Sequence, residues 1–421
     1  MPTLPTFISR GRLLAALLIA GVLAGCGAPS AVAPTAAPAA TAAPTAAAPT
    51  AEPTAAPAPE PTAAAAPTAE PTAAPAAGVL PAPLYVLNSQ QQIVRLEADG
   101  KTSAQVTNED APISGFAVSP ADSTLLYVVG QPVPNKLVRA DAHGGARAEL
   151  LTGQVSQPVW SPDGRRYAFS WGDGPQGAGV YSAEAQGGAP KLLAANLARA
   201  KDGSKPGQLR TPIAWSPDGQ RLLLMTAPDN GPDTPGGDIG VVGMAVAGGD
   251  GALTELVRPG GDPHSCYSAA WSADGGHVYC ASYGMTGGAP ALWRMPSAGG
   301  EPGILIASEG TNQADVFNPI AVNDQLYAFV GVTADASQPI AYHMQRLDTQ
   351  SGKASTVRAE ALDIDAVLWS LWARDGSGAV TQKPEPGGSS GNTLIWTPAE
   401  GAPVQLGIRG AGTPQWGAPG S

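Results

Sequence analysis

Short apolar runs separated by turn-forming residues fill the chain from about residue 79 onward. Runs such as Tyr167-Ala168-Phe169 and Leu222-Leu223-Leu224 lie beside clusters of Ser, Pro, Asp and Gly. Short apolar runs that are bounded by such clusters are typical of β-strands joined by tight turns. The pattern therefore predicts an all-β fold built from β-hairpins.

One hairpin motif recurs along this region. Four clear copies contain a tryptophan followed by a turn sequence: Trp160–Gly164, Trp215–Gly219, Trp271–Gly275 and Trp372–Gly376. Degenerate copies occur at 118–122 and 322–324, and Trp416 occupies the same place near the C-terminus. Successive copies are 42 to 56 residues apart. This spacing indicates four-stranded propeller blades with variable loops, and it is too long for ankyrin or tetratricopeptide helices.

The motif has the chemistry of a tight turn. Serine starts the turn, proline presets φ at the next position, and glycine accepts a positive φ. We therefore interpret the aspartates of the motif as turn formers; they are Asp163, Asp218, Asp274 and Asp375.

The number of strands predicts how the ring closes. We name the strands of a blade A, B, C and D, with the motif tryptophan on strand A. Seven A strands and seven B–C–D sets can be counted, but the first set lacks an A strand and the last A strand, Pro414-Gln415-Trp416, lacks a B–C–D set. We predict a seven-bladed β-propeller of four-stranded antiparallel blades over residues 79–421, closed by the C-terminal strand pairing with the N-terminal blade.

The Trp-Ser-Pro-Asp-Gly hairpins, together with the strand Ile93–Gly100, resemble the TolB-type, WD-repeat-like β-propeller repeats of bacterial envelope proteins. The resemblance covers roughly 340 residues. It implies an envelope protein with six, seven or eight blades. The family also includes propellers attached to serine peptidases, but no Gly-x-Ser-x-Gly elbow follows this propeller, so we do not transfer that activity.

The N-terminal residues have the pattern of an export signal. Arg10 and Arg12 precede the apolar run Leu13–Leu23, which is too short to span a bilayer as a helix. The sequence Leu-Ala-Gly-Cys that ends at Cys26 resembles a bacterial lipobox, which implies a signal peptide at 1–25 and acylation of Cys26. The alternative is an ordinary signal peptide cut near Ala24. Residues 26–78 are rich in Ala, Pro and Thr and predict a disordered, semi-extended linker.

Composition limits the classes of partner. The formal net charge is −11, with 23 Lys+Arg against 34 Asp+Glu, which argues against nucleic-acid binding. Three cysteines cannot form a disulfide framework, and four histidines argue against a His-rich metal site. We predict no cofactor and no metal. Calcium among Asp229, Asn230 and Asp233 is the weaker alternative, because the spacing does not match an EF-hand.

Strand direction divides the propeller into two faces. The A–B turns lie on one face, which we call the turn face, and the B–C and D–A connections lie on the other, which we call the loop face. Long, irregular insertions fall on the loop face, so we expect recognition there. The candidate binding residues in two neighbouring insertions are Lys201, Lys205, Arg210, Asp229 and Asp233. They form either a patch for an acidic ligand or two solvated loops that pair with each other.

The residues that precede the A strands are expected to ring the central channel. They are Asp110, Gln157, Arg210, His264, Asp315, Asp365 and Gly412. His264 is a candidate binding residue, although a loop role is the simpler interpretation. Asp315 and Asp365, in neighbouring blades, are candidates for a carboxylate pair. Cys266 and Cys280 fall on strands A and B of one blade, diagonal to each other, and a disulfide between them would need a shift in register.

Three function classes follow, and we favour the first. This is a monomeric lipoprotein on the outer face of a bacterial membrane, which binds a protein or envelope polymer through its loop face and is not an enzyme. The second is a small-molecule or metal-dependent propeller enzyme, such as a lactonase-like hydrolase with its site at the channel mouth. The third is a purely structural envelope protein.

Overall fold

A computed structural model describes residues 78–130, 133–202, 207–229, 243–257, 266–282, 290–309, 312–335, 338–384 and 391–421. The predicted signal peptide, Cys26 and the linker up to residue 77 lie outside the described residues. Within the described ranges, no helix is both long enough and apolar enough to cross a membrane. The described structure is all-β apart from one five-residue helix.

The strands form successive antiparallel sheets in chain order. The first three strands are β1 (Leu84–Leu87), β2 (Ile93–Leu96) and β3 (Ser103–Gln105). A four-stranded sheet follows, made of β4 (Ile113–Val118), β5 (Leu125–Val129), β6 (Asn135–Ala140) and β7 (Ala148–Gly153). The next four-stranded sheet contains β8 (Val155–Trp160), β9 (Arg166–Trp171), β10 (Gly179–Glu184) and β11 (Lys191–Ala195).

Three more four-stranded sheets repeat this arrangement. One contains β12 (Gly207–Trp215), β13 (Arg221–Asp229), β14 (Gly243–Gly248) and β15 (Leu253–Val257). Another contains β16 (Ser268–Trp271), β17 (His277–Ala281), β18 (Pro290–Pro296) and β19 (Gly303–Ala307). The third contains β20 (Gln313–Val322), β21 (Gln325–Thr333), β22 (Tyr342–Asp348) and β23 (Ala354–Leu362).

The two ends of this region share one sheet. The last elements are helix α1 (Ile364–Leu368), β24 (Leu371–Trp372), β25 (Gly378–Lys383), β26 (Asn392–Pro398) and β27 (Val404–Trp416). The seven-stranded sheet has the order β24-β25-β26-β27-β1-β2-β3. Strand β27 pairs with β26 through Val404 opposite Trp396, and with β1 through Trp416 opposite Leu84. One long strand therefore belongs to both halves of this sheet.

The motif tryptophans pack between neighbouring sheets. Three indole N–H groups donate to a backbone carbonyl on the A strand of the preceding sheet: Trp215 to Val159 (3.4 Å), Trp271 to Ala214 (3.1 Å) and Trp416 to Trp372 (2.8 Å). All three indoles are buried, at 4–7% exposure. Burial of a large aromatic side chain with its polar atom bonded is strongly stabilising. These three tryptophans therefore join their own A strands to the A strands of the preceding sheets.

Arginines at the start of the B strands hold the next sheet. The Arg166 guanidinium lies 5.0 Å from the Trp215 ring, and that of Arg221 lies 5.1 Å from the Trp271 ring. Arg221 also donates to the carbonyl of Gly275 (2.6 Å). These cation–π and charge-assisted hydrogen bonds repeat at successive sheets and fix their relative positions.

The aspartates of the motif close their own turns. In three copies a serine hydroxyl donates to the aspartate Oδ1 at 2.5–2.6 Å, and in all four a backbone N–H two residues later donates at 2.8–3.1 Å. The glycine that follows has a φ of 66–74° in every copy. Hydrogen bonds from serine lower the pKa of Asp163, Asp218 and Asp274. All four aspartate side chains, including that of Asp375, accept hydrogen bonds within their own turns.

Candidate functional site

Exposed apolar side chains are concentrated on the loop face. Most of the large hydrophobic residues that are exposed in the described structure lie in B–C or D–A connections or at the strand ends beside them: Val133, Leu197, Leu209, Tyr267, Val332, Ile364 and Trp369. The others, Val79, Leu253 and Ile304, lie near the first described residues or at the start of D strands. Exposed apolar groups on one face are candidates for contact with a protein partner.

Trp369 is the largest of these side chains and is 47% exposed. Helix α1 ends at the residue before Trp369. Asp363 caps the N-terminus of this helix, and its carboxylate accepts a hydrogen bond from the Ala366 N–H (2.8 Å). The side chain of Gln382, which is 1% exposed, donates to the carbonyls of Trp369 (3.0 Å) and Gly412 (2.8 Å). The backbone beneath Trp369 is therefore fixed by a buried amide, so an exposed indole is presented from a rigid position.

The sequence suggested that Arg210 belongs to an exposed basic loop, and this prediction is wrong. Arg210 lies within β12, is 7% exposed, and pairs with Thr226 of β13. Its guanidinium donates to the carbonyl of Ala195 and to Oε1 of Gln208 (3.3 Å). Burial lowers the pKa of Arg210, since desolvation disfavours the charged form. This arginine joins the end of β11 to β12, and its charge is not presented to a partner.

Two of the other charged candidates lie in the described structure. Lys201 is exposed in the connection before β12, and Asp229 is the last residue of β13. Lys205, Asp233 and His264 lie outside the described residues.

The two aspartates proposed as a carboxylate pair lie in different environments. Asp315 is 5% exposed within β20, and it accepts hydrogen bonds from the Tyr342 hydroxyl (3.0 Å) and from Gln313 (3.3 Å). Asp365 is exposed in the first turn of α1. Among the described residues, no group of three or more His, Cys, Asp or Glu side chains is arranged to hold a metal ion.

Cys266 and Cys280 form a disulfide, with an S–S distance of 2.02 Å and Cα atoms 5.6 Å apart. The register differs by one residue from the one read from the sequence: Cys280 lies opposite Ala269, and Ser268 lies opposite Ala281. Cys266 precedes β16, so it is not constrained by strand pairing and reaches Cys280 directly. The disulfide ties the start of the A strand to the end of the B strand at the loop face.

The central cavity lies at the other end of the channel from the one expected from the sequence. It has a volume of about 610 Å³ and lies at the turn-face end of the A strands, opposite to the residues expected to ring the channel. Its walls come from every A strand or the turn after it, and include Phe116, Pro120, Pro162, Ile213, Pro217, Ile320, Arg374 and Gln415. The lining is largely apolar, and among the described residues Arg374 is the one charged side chain in it.

The comparisons with known proteins concern the fold. No family model and no curated protein matches the sequence. An oligogalacturonate lyase from Vibrio parahaemolyticus is similar in structure at 10% identity and a TM-score of 0.54, over 76% of this chain and 83% of that chain. An oligogalacturonate lyase in complex with manganese is similar at 12% identity and a TM-score of 0.53, over 77% of this chain and 84% of that chain. A putative TolB from Agrobacterium tumefaciens has 19% identity and a TM-score of 0.40, over 68% of this chain and 91% of that chain. By its fold, this chain is a β-propeller protein.

Proposed function

We propose that this chain is a lipid-anchored, extracytoplasmic protein whose closed, seven-bladed propeller binds a protein partner through its loop face. The single observation on which this rests is the concentration of exposed apolar side chains on that face. The blade count, the anchor and the binding face each have separate support.

Seven blades follow if β27 is counted twice, because its first part completes one sheet as strand D and its last part serves as strand A beside β1. The seven-stranded sheet then contains two blades, β24-β25-β26-β27 and β27-β1-β2-β3. Together with the five four-stranded sheets they make seven blades. Neighbouring A strands also contact one another, including β24 with β27 and β27 with β4, and β16 is joined to β12 by the hydrogen bond from Trp271 to Ala214. A single cavity lined by all seven A positions is what a closed ring would enclose.

The described chain begins and ends beside the same turn position. Residues 78–83 lead into β1 and residues 417–421 follow β27, where the other blades have an A–B turn, and the Gly417 N–H donates to the Pro83 carbonyl (2.8 Å). A tether that precedes residue 78 would therefore join the propeller at the turn face.

Anchoring rests on the N-terminal sequence. The apolar run Leu13–Leu23 and the Leu-Ala-Gly-Cys sequence ending at Cys26 support export and acylation. Two or more acyl chains on one residue are sufficient for stable membrane attachment. Cells labelled with radioactive palmitate should incorporate label into the wild-type chain and not into Cys26→Ser. Label retained in that variant, or absent from the wild type, would contradict the lipid anchor.

We infer binding and not catalysis as the activity. The two charged candidates best placed for chemistry, Arg210 and Asp315, are buried and bonded to their own sheets. The loop face instead exposes large apolar side chains, and the backbone beneath one of them, Trp369, is held by the buried Gln382 amide. Buried tryptophan anchors commonly contribute about 2 kcal/mol or more to a protein interface, which corresponds to more than tenfold in affinity.

The test compares matched apolar substitutions on the full chain. Trp369→Ser and Val332→Ser remove exposed apolar groups from the loop face, and Ile304→Ser removes one that is 59% exposed at the start of a D strand. Each form is expressed in its own host and captured from detergent-solubilised membranes. We expect the loop-face variants to lose at least tenfold of a specific co-purifying protein, while Ile304→Ser retains it. Equal recovery with all forms would refute a loop-face site.

A further inference from the structure

The cavity at the turn-face end of the channel has the dimensions of a ligand site. Its volume of about 610 Å³ lies within the range of roughly 300–1,000 Å³ found for small-molecule pockets. Ile213 and Ile320 line it between the small side chains Ala214, Ala270 and Ala321. An apolar wall with few polar groups favours a ligand that has an apolar body.

Arg374 gives this cavity a single charge. Arg374 occupies the motif position that is proline at Pro162 and Pro217. One blade therefore has a guanidinium where two others have an apolar proline ring. Two N–H groups of Arg374 donate to backbone carbonyls, of Trp416 (2.8 Å) and Gly417 (3.0 Å). A guanidinium has five N–H donors, so donors remain for a ligand. No carboxylate in the described part of the chain forms an ion pair with Arg374.

The aspartates nearest to the cavity do not compete for this arginine. Asp163, Asp218 and Asp274 each accept a hydrogen bond from the serine of their own turn. Asp375, the neighbour of Arg374 in sequence, accepts from the Ser377 N–H (2.9 Å). The guanidinium is therefore held by backbone carbonyls at the edge of an apolar cavity, and it keeps its positive charge uncompensated.

We propose that the turn-face end of the channel binds a carboxylic acid with an apolar body, of the class of medium-chain fatty acids. The carboxylate accepts charge-assisted hydrogen bonds from Arg374, and the hydrocarbon chain lies against Ile213 and Ile320. Arg–carboxylate bonds are stronger than neutral ones and are directional, and burial of each methylene group adds to the affinity. This site lies on the face opposite to the proposed protein-binding surface and does not depend on it.

The probe is decanoate, titrated into the purified full chain by calorimetry, with decanol and decylamine as neutral and cationic analogues. Arg374→Gln and Arg374→Pro remove the charge, and the latter introduces the proline found at positions 162 and 217 of two other motif copies. Arg374→Lys retains the charge. Arg165→Gln is the matched control, because its side chain is 84% exposed in an A–B turn of the same face and does not line the cavity. Ala270→Phe fills the cavity, and thermal unfolding checks that every variant folds.

We expect saturable binding of decanoate, weakened at least tenfold in Arg374→Gln and Arg374→Pro and unchanged in Arg165→Gln. Arg374→Lys should bind more tightly than Arg374→Gln, and Ala270→Phe should not bind. Decanol and decylamine should bind at least tenfold more weakly than decanoate. Equal affinity of the three analogues, wild-type affinity in Arg374→Gln, no binding to the wild type, or wild-type binding by a folded Ala270→Phe would overturn the proposal. If only Ala270→Phe fails to fold, the analogue series and the Arg374 variants still decide it.

Discussion

Replacing Trp416 with alanine tests whether the C-terminal strand is an integral part of the propeller. Trp416 is 4% exposed and lies opposite Leu84, with its ring edge-on to Trp396 at 5.9 Å. Truncation of a buried tryptophan to alanine costs about 3–5 kcal/mol. The indole N–H also donates to the buried carbonyl of Trp372, and leaving such a group unpaired costs about 1–3 kcal/mol. We expect a total loss of about 4–8 kcal/mol, which is a large part of a typical stability of about 5–15 kcal/mol.

The assay is urea denaturation of the full chain, followed by far-UV circular dichroism because tryptophan fluorescence changes with the substitution. Trp271→Ala, in an internal sheet, is the positive control and should cost a similar amount, since Trp271 is buried and donates to Ala214. Trp369→Ala should change the free energy of unfolding by less than about 1 kcal/mol, because its side chain is half exposed. A cost below about 1 kcal/mol for Trp416→Ala, with the full cost for Trp271→Ala, would refute the role of the C-terminal strand.

Three further predictions concern the contacts that hold the sheets. Arg221→Met should lower the free energy of unfolding by about 2 kcal/mol through loss of the bonds to Gly275 and Ser297, while Arg165→Met changes it by less than about 0.5 kcal/mol in the same urea assay. Cys266→Ser/Cys280→Ser should cost about 3 kcal/mol, as expected for a 14-residue separation, and should abolish any effect of reductant on the urea midpoint; an unchanged midpoint would refute the disulfide. The pKa of each turn aspartate is lowered in the folded state, so their contribution to stability is complete above the unfolded pKa of about 4 and is lost as the pH falls through the folded pKa. The urea midpoint should therefore drop as the pH is lowered below about 4. Asp163→Asn, Asp218→Asn and Asp274→Asn combined should flatten that dependence, and an equally steep drop in this variant would contradict the assignment.

The hairpins could be predicted from sequence because their information is local. Ser-Pro-Asp-Gly selects a turn by chemistry within five residues, so the strands on both sides of Asp163 and Asp218 fall where the motif places them. Helix α1 was missed because one turn of helix, capped by Asp363, has too few residues to show a period.

The environment of Arg210 could not be predicted, because its acceptors come from another segment. The stretch before it contains Arg, Lys, Asp and Gly residues, which is typical of a solvated loop. Only the folded chain places the Ala195 carbonyl and the Asn196 side chain beside this arginine, which allows the strand to begin at Gly207. A buried, bonded arginine therefore looks like a surface charge in the sequence.

The central cavity depends on the relative position of all the A strands, which no single repeat encodes. One signal was nevertheless present in the sequence. At the proline position of the motif, Arg374 differs in character from Pro162 and Pro217, and a departure from a repeat at one position marks a residue that the scaffold alone does not require. Comparing the copies position by position, and not only counting them, would have identified it.

Photo-crosslinking in intact cells tests the proposed binding face most directly. A benzophenone amino acid is placed at Val332 or Tyr267, which are exposed on the loop face, or at Ile304 or Arg165, which lie at a D strand and on the turn face. After irradiation, both loop-face positions should give the same cross-linked protein, and the other two should give none. Cross-links of equal yield from all four positions, or only from Ile304 or Arg165, would contradict the account.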